Sequence, residues 1–379
     1  MRFPGGIEIT DWPTAQRYLR LGIAESISRV RSFMEKLDSA SCIHVDLALP
    51  FEELQARIAA LPKLNFVHVD HSAVSSDSAD SLISLARKDA ATKEKLVLLV
   101  NAGFHLYVVR EGVSSMVRHR RIRTLWRDVI EGSILVDQND IFHTLTPAEG
   151  AGEPRLLVVF SAVAATMYAP GLMRHFERNF ATIGKYVPRN THILRIADMG
   201  GVVGAFYLNS NALPQNEENI WARIEATARR LGVKHENIVL YGASKGGTAA
   251  TFYALQHGVR GVAVDPILSD EHYEKVYQDL HFTKGTFPAS KQARFSALAQ
   301  SVHPQARLSL ICSSRSPQFP YIEELMIQRF RDRFLFLNSE NPAIKKHPDV
   351  GPQTIPHTLA QVNLHLAGVD APGGLHIIW

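Results

Sequence analysis

The stretch Ile238-Val-Leu-Tyr-Gly-Ala-Ser-Lys-Gly-Gly-Thr-Ala-Ala-Thr-Phe-Tyr-Ala-Leu255 constrains the fold of this chain more than any other. Ile238 to Tyr241, all apolar or aromatic, read as a buried strand. A tight glycine-flanked turn follows, and small residues (Thr248, Ala249, Ala250) open a helix. At the turn, Gly242-Ala-Ser-Lys-Gly246 matches the G-x-S-x-G nucleophile elbow. Such a turn holds its central residue in a strained backbone conformation and aims the hydroxyl out of the sheet edge. Glycines two before and two after let the strand and helix approach each other. The helix N-terminus supplies backbone N–H groups and a positive dipole end where an oxyanion would form. The bare pentapeptide is a weak signal, and its strand–turn–helix context makes it a strong one.

A chain of 379 residues is long for one domain and suggests two. With 46% hydrophobic and 21% charged residues it reads as an ordinary soluble globular protein. The two cysteines, Cys42 and Cys312, do not make a disulfide framework or a metal site, and a reducing cytoplasm fits best. The segment Met1–Asp11 has no apolar signal core. The apolar runs Lys95 to Val109 and Leu156 to Pro170 are too short to span a bilayer as helices, so no transmembrane segment is expected. The net charge of +4 permits an acidic partner without demanding one.

The clearest boundary is Thr146-Pro-Ala-Glu-Gly-Ala-Gly-Glu-Pro154, rich in Pro and Gly. It divides an N-terminal α/β accessory unit, residues 1–145, from a second domain, residues 155–379. In the first unit Ser41 to Leu47 and Leu64 to Val69 read as strands, and Pro50 to Leu61 and Ser81 to Ala91 as amphipathic helices. Lys95 to Val100 and Phe104 to Val109 read as two strands around a turn. In the second domain apolar strands alternate with helices: Arg155 to Ser161, His192 to Ala197, the elbow strand, Gly261 to Asp265, Leu308 to Cys312 and Phe334 to Asn338. That pattern predicts a doubly wound, mostly parallel sheet covered on both faces. Reactive groups in such sheets sit at the carboxyl ends of the strands.

A serine hydroxyl is a poor nucleophile until a base takes its proton, usually a histidine held by a carboxylate. The expected chain order is serine, acid, histidine. Ser244 is the candidate nucleophile. His347, in the loop after Phe334 to Asn338, is the candidate base, ahead of His357 and His365, which fall in or near the following helix, and of His376, which is expected in the terminal tail. The loop where the acid is expected, after Cys312, has no aspartate. Asp265, one strand earlier, is the first candidate acid, with Glu323, Glu324 or no carboxylate as alternatives. The two glutamates are more simply read as dipole-favoured residues at a helix start. The oxyanion donors would be the Lys245 amide and an amide from Ser161 or Ala162. The Lys245 side chain could attract an anionic substrate, or be a solvated side chain at the helix start.

These residues resemble the capsular polysaccharide biosynthesis proteins of the XcbB/CpsF type. More distantly they resemble serine-dependent α/β-hydrolase-like acetyltransferases of surface-glycan and accessory secretion systems. The resemblance rests on Leu156-Leu-Val-Val-Phe-Ser161, Leu194-Arg-Ile-Ala-Asp198 with Gly204-Ala-Phe-Tyr-Leu208, Tyr241-Gly-Ala-Ser-Lys-Gly-Gly247 and His347-Pro-Asp-Val350. It covers roughly the last 225 residues well. It implies an α/β-hydrolase-like fold and acyl transfer, such as O-acetylation, or ester hydrolysis on a surface or capsular glycan. It also implies no bound cofactor, an acyl donor such as acetyl-CoA as co-substrate, and capsule-assembly proteins as partners. An aspartate expected near Ser316 is absent from Ser313-Ser-Arg-Ser-Pro-Gln-Phe319, which keeps open a non-catalytic glycan-binding or assembly role.

Two further features are weaker. Arg118-His-Arg-Arg-Ile-Arg-Thr-Leu-Trp-Arg127 is a basic cluster more simply read as a solvated helix face. No RRM, zinc-finger or P-loop pattern supports a nucleic-acid partner. Residues 266–304 form a long connection carrying His272, Tyr273, Tyr277, His281, Phe282 and Phe287, expected as a lid over the active edge.

Overall fold

The computed structural model describes residues 41–75, 77 and 80–379, so the stretch Met1–Asp11 lies outside the described residues. The chain builds two sheets. The smaller runs β1 (Cys42–Asp46), β2 (Phe66–Asp70), β3 (Phe104–Arg110) and β4 (Val113–Arg118), in spatial order β1-β2-β4-β3. The larger contains β5 (Leu135–Val136), β6 (Phe142–Thr146), β7 (Arg155–Phe160), β8 (Thr191–Ile196), β9 (Ile238–Ala243), β10 (Arg260–Val264), β11 (Arg307–Cys312), β12 (Leu335–Ser339) and β13 (Gly374–Ile378). Its order is β13-β12-β11-β10-β9-β7-β8-β6-β5.

From β7 to β13 every pairing is parallel, and β6 and β5 add antiparallel at one edge. Alternate residues of β7 enter different cores. Leu156, Val158 and Phe160 join one apolar cluster, while Leu157 and Val159 join the cluster on the opposite face. A strand apolar on both sides can only sit inside a covered parallel sheet. Each such fully buried side chain contributes about 1.5–3 kcal/mol. The result is an α/β-hydrolase-like doubly wound sheet preceded by a smaller α/β unit, as expected.

Four sequence expectations change. Lys95 to Val100 is not a strand but the second half of the helix Ala90–Asn101, N-capped by Asp89, whose carboxylate accepts the Thr92 amide at 2.7 Å. Its apolar run is short enough that periodicity alone does not separate strand from buried helix. Residues 135–146 lie before the Pro/Gly-rich boundary, yet β5 and β6 belong to the large sheet, through the pairing of His143 with Ile196. A composition break marks an exposed connection, and here that connection lies inside a sheet. His376 is not in a tail but on β13, an edge strand parallel to β12. The basic cluster is not a solvated helix face. It ends β4 and forms the 3-10 turn His119–Thr124, with Arg118 donating to the carbonyls of Leu64 and Ala102 and Trp126 buried.

The two sheets pack against each other. Phe282, Val202 and Val203 complete the apolar core of the smaller unit. The buried Arg174 guanidinium donates to the carbonyls of Leu106, Pro170, Gly171 and Val202, and burial lowers its pKa to about 9.

Candidate active site

The elbow forms where the sequence places it. Ser244 follows β9 and caps the helix Lys245–His257 with φ 56° and ψ −119°, a conformation that an L-residue holds only under constraint. The glycines explain the constraint. A Cβ on Gly242 would strike the Gly246 carbonyl, and one on Gly246 would strike the Phe160 carbonyl of β7. Both positions demand glycine for close approach rather than for turn geometry.

His347 begins the helix His347–Gln353 after β12. Its loop is held by Asp349, which accepts the amides of Lys345 and Lys346, and by Val350, which is buried in the core. His347 Nε2 lies 2.7 Å from Ser244 Oγ, and its Nδ1 lies 2.7 Å from Asp265 Oδ2. Asp265 follows β10 with φ 43° and is 2% exposed. Its amide donates to Ile311 O at 2.7 Å, which fixes its backbone against β11. Ser244, His347 and Asp265 thus meet at the carboxyl ends of β9, β12 and β10, respectively. Glu323 and Glu324 are exposed, and His365 is committed to Ser309 Oγ at 2.9 Å.

The position expected to carry an aspartate carries Ser316. Its hydroxyl donates to Asp265 Oδ2 at 2.5 Å, the same oxygen that accepts from His347. Asp265 thus lies one strand before the loop that carries Ser316, and that loop supplies a hydrogen bond to its carboxylate.

The oxyanion expectations divide. The Lys245 amide stands at the first turn of its helix, where no intrahelical acceptor reaches it. The Ser161 amide is engaged, donating to the Tyr207 hydroxyl at 2.6 Å, while that hydroxyl donates to Ile196 O at 2.8 Å. The Ala162 amide donates to Asn179 Oδ1 at 2.5 Å. Ala162 and Asn179 line the same cavity as Ser244, whereas Ser161 does not.

The Lys245 side chain does not face a substrate, nor is it solvated. It is fully buried, 3.0 Å from Asp198 Oδ2 and 3.0 Å from Val203 O. Asp198 in turn accepts the amides of Ala205, Phe206 and Tyr207. The lysine therefore braces the loop whose Tyr207 hydroxyl holds Ser161. Sequence reasoning missed Tyr207 and Asn179. Tyr207 sat inside a quoted motif without a visible role, and Asn179 lies in an aperiodic connection.

A cavity of about 720 Å³ opens over the triad. Phe180, Tyr241, Ala164 and Met167 form apolar parts of its wall, and His272, Tyr273, Tyr277 and His281 come from residues 266–304. That segment is tied down as well as overhanging. Lys291 is buried against Asp270 at 2.6 Å and over the Phe206 ring, and Phe282 sits in the smaller unit's core. Burial lowers the His281 and His272 pKa values, more strongly for His281, and the neighbouring His347 adds to both shifts. Burial pushes the Tyr241 phenol up to about 12.

No family model and no curated protein matches the chain. Solved structures similar to it include FphF, a fluorophosphonate-binding serine hydrolase of Staphylococcus aureus, at 12% identity over 61% of this chain and 96% of that one, TM-score 0.45. The Gap123 glycosylation-associated protein complex of Streptococcus agalactiae matches at 16% identity over 67% of this chain and 50% of that one, TM-score 0.45. The capsule O-acetyltransferase of Neisseria meningitidis serogroup A matches at 14% identity over 60% of this chain and 92% of that one, TM-score 0.43. The fold assignment given above stands on strand order and elbow geometry.

Proposed function

We propose that the protein is a serine acyltransferase or esterase that works through an acyl-enzyme on Ser244. The observation that carries this reading is the Ser244–His347–Asp265 chain, two contacts of 2.7 Å at the floor of the cavity. The Ser244 hydroxyl donates to His347 Nε2, and His347 Nδ1–H donates to Asp265. As Ser244 Oγ attacks an acyl carbonyl, its proton passes to Nε2, and Asp265 stabilises the imidazolium. The Lys245 amide meets the oxyanion. The leaving group takes the proton from Nε2, and a water or sugar hydroxyl then reverses the sequence.

The acceptor in this reading is a surface or capsular glycan, following the XcbB/CpsF resemblance. The donor is an acyl thioester such as acetyl-CoA, and the compartment is the cytoplasm. The engaged amides of Ser161 and Ala162 favour a second reading, a glycan-binding or assembly component without turnover. A fluorophosphonate probe separates the two. Labelling lost in Ser244→Ala and in His347→Ala, but retained in His357→Ala, supports the enzyme. No labelling of the folded chain supports the second reading.

A further inference from the structure

The smaller sheet carries a side-chain cluster that the acyl chemistry does not use. Cys42 and His44 are two apart on β1, so both project from one face. The opposite face of β1 and β2 carries Ile43, Val45, Val67 and Val69 into the apolar core. β1 and β2 run parallel with His44 directly across from His68, which brings His68 to the same face. One ligand atom from each of Cys42, His44 and His68 lies within 4.8 Å of the others, and the two imidazoles stack with centroids 4.7 Å apart.

From this we infer that Cys42, His44 and His68 form a transition-metal site, with Zn²⁺ the ion it fits best. One thiolate and two imidazoles are soft-to-borderline ligands, suited to zinc and unsuited to Mg²⁺ or Ca²⁺, which demand oxygen. Tetrahedral zinc holds sulfur at about 2.3 Å and nitrogen at about 2.0 Å, so ligand atoms stand roughly 3.3–3.7 Å apart. The cluster reaches that spacing by side-chain rotation, for which the exposed His44 has freedom. Metal-bound histidines are held by their second nitrogen. His68 already has this feature: its Nδ1 lies 2.8 Å from the hydroxyl of Ser115, directly across on β4. That contact orients the ring. Three protein ligands leave one coordination position for water or an outside donor.

None of the three residues lines the Ser244 cavity, so the ion is separate from the acyl chemistry. Among the described residues β1 ends the order of its sheet, paired with β2. A bridging ion would staple that edge, because binding free energy at such a site adds to folding free energy. The sequence reading counted two cysteines and set a metal site aside, and the site needs only one. Its other ligands come from a neighbouring strand, where spacing along the chain does not reveal them.

The test titrates Co²⁺ into the full-length chain freed of metal with a chelator. One equivalent should produce thiolate-to-cobalt charge-transfer absorption and tetrahedral d–d bands, both removed by one equivalent of Zn²⁺. Cys42→Ser should abolish the charge-transfer band, and His68→Gln should weaken binding by about tenfold or more. Should either variant fold poorly, alkylation of the unmodified chain gives an independent readout. Zn²⁺ should protect Cys42 from iodoacetamide and leave fluorophosphonate labelling of Ser244 unchanged. Absence of stoichiometric Co²⁺ binding at micromolar protein overturns the site. So does a cobalt spectrum that survives Cys42→Ser, or alkylation of Cys42 that zinc does not slow.

Discussion

The two sheets handle polar groups in opposite ways. In the nine-stranded sheet β7, β9 and β10 send apolar side chains into the cores on both faces, and Ser244, Asp265, Ser316 and His347 converge at the carboxyl ends of the strands. In the four-stranded sheet one face is apolar, and the other intersperses polar groups with Phe66 and Val117. Cys42, His44 and His68 lie towards β1, and His105 lies towards the large sheet, with its Nε2 3.2 Å from His119 Nδ1. A sheet buried on both sides can offer reactive groups only where its strands stop. A sheet with one polar face can offer them anywhere along that face.

Asp265→Asn tests the end-of-strand half of this comparison most severely. A carboxylate that orients the imidazole and stabilises its cation is worth a factor on the order of a thousand or more in turnover. Turnover should fall by that much with melting temperature nearly unchanged. Ser316→Ala removes one hydrogen bond to the same oxygen and should cost roughly tenfold or less. Equal losses from both would move the principal role away from Asp265, and a silent Asp265→Asn would discard it. Steady-state kinetics on a chromogenic ester reads each case.

Lys245→Met asks whether a buried charge near the site supports the fold or the substrate. Removing one partner of a buried ion pair costs about 3–5 kcal/mol. Denaturant unfolding should show a loss of that order, with KM for an anionic donor little changed in whatever protein remains folded. A KM effect without a stability loss would restore the substrate role.

The interface between the sheets should respond to acid. His105 and His175 both have pKa values pushed well below the usual histidine range, first by burial and then by neighbouring cationic or histidine groups, Arg174 among them. The unfolded chain binds these protons below about pH 6.5 while the native chain does not. This stability is therefore complete above pH 6.5 and is lost as pH falls towards the depressed native values. Melting temperature should drop by roughly 5 °C between pH 7.5 and 5.5. His105→Gln with His175→Gln should flatten part of that slope, and an unchanged slope would exclude the pair.

The smallest expected effect concerns Asn179. Its side-chain oxygen holds the Ala162 amide that an acyl oxygen would use. Asn179→Ala should free the donor and raise the rate of fluorophosphonate acylation a few-fold, roughly the worth of one hydrogen bond. A lower rate would mean that Asn179 assists the reaction rather than competing with it.

Much of this protein was legible in residue order because the relevant constraints are local. Gly242, Ser244 and Gly246 must occupy one turn, and the strand before it and helix after it are coded by neighbouring residues. The parallel sheet was readable from apolar runs with no polar alternation. His347 was readable because the loop it occupies follows a recognisable strand. Helix and strand could not be told apart at Lys95–Val100, where six residues are too few for periodicity to decide. Residues 135–146 could not be assigned to a sheet, because strand partnership is a non-local choice.

What only the tertiary structure decided depends on which strands end side by side. The sequence left Asp265, Glu323, Glu324 and no carboxylate open. Strand order brings Ser316 and His347 onto one carboxylate oxygen of Asp265, and leaves the glutamates at the surface. It turns Lys245 inward to Asp198 and gives Ser161's amide to Tyr207. The same holds for Cys42, His44 and His68, gathered by the pairing of β1 with β2. A linear sequence fixes what each residue can do within a few neighbours. Hydrogen bonds such as that of His347 with Asp265, and charge pairs such as Lys245 with Asp198, join residues far apart in the chain and exist only once the sheet has closed that distance.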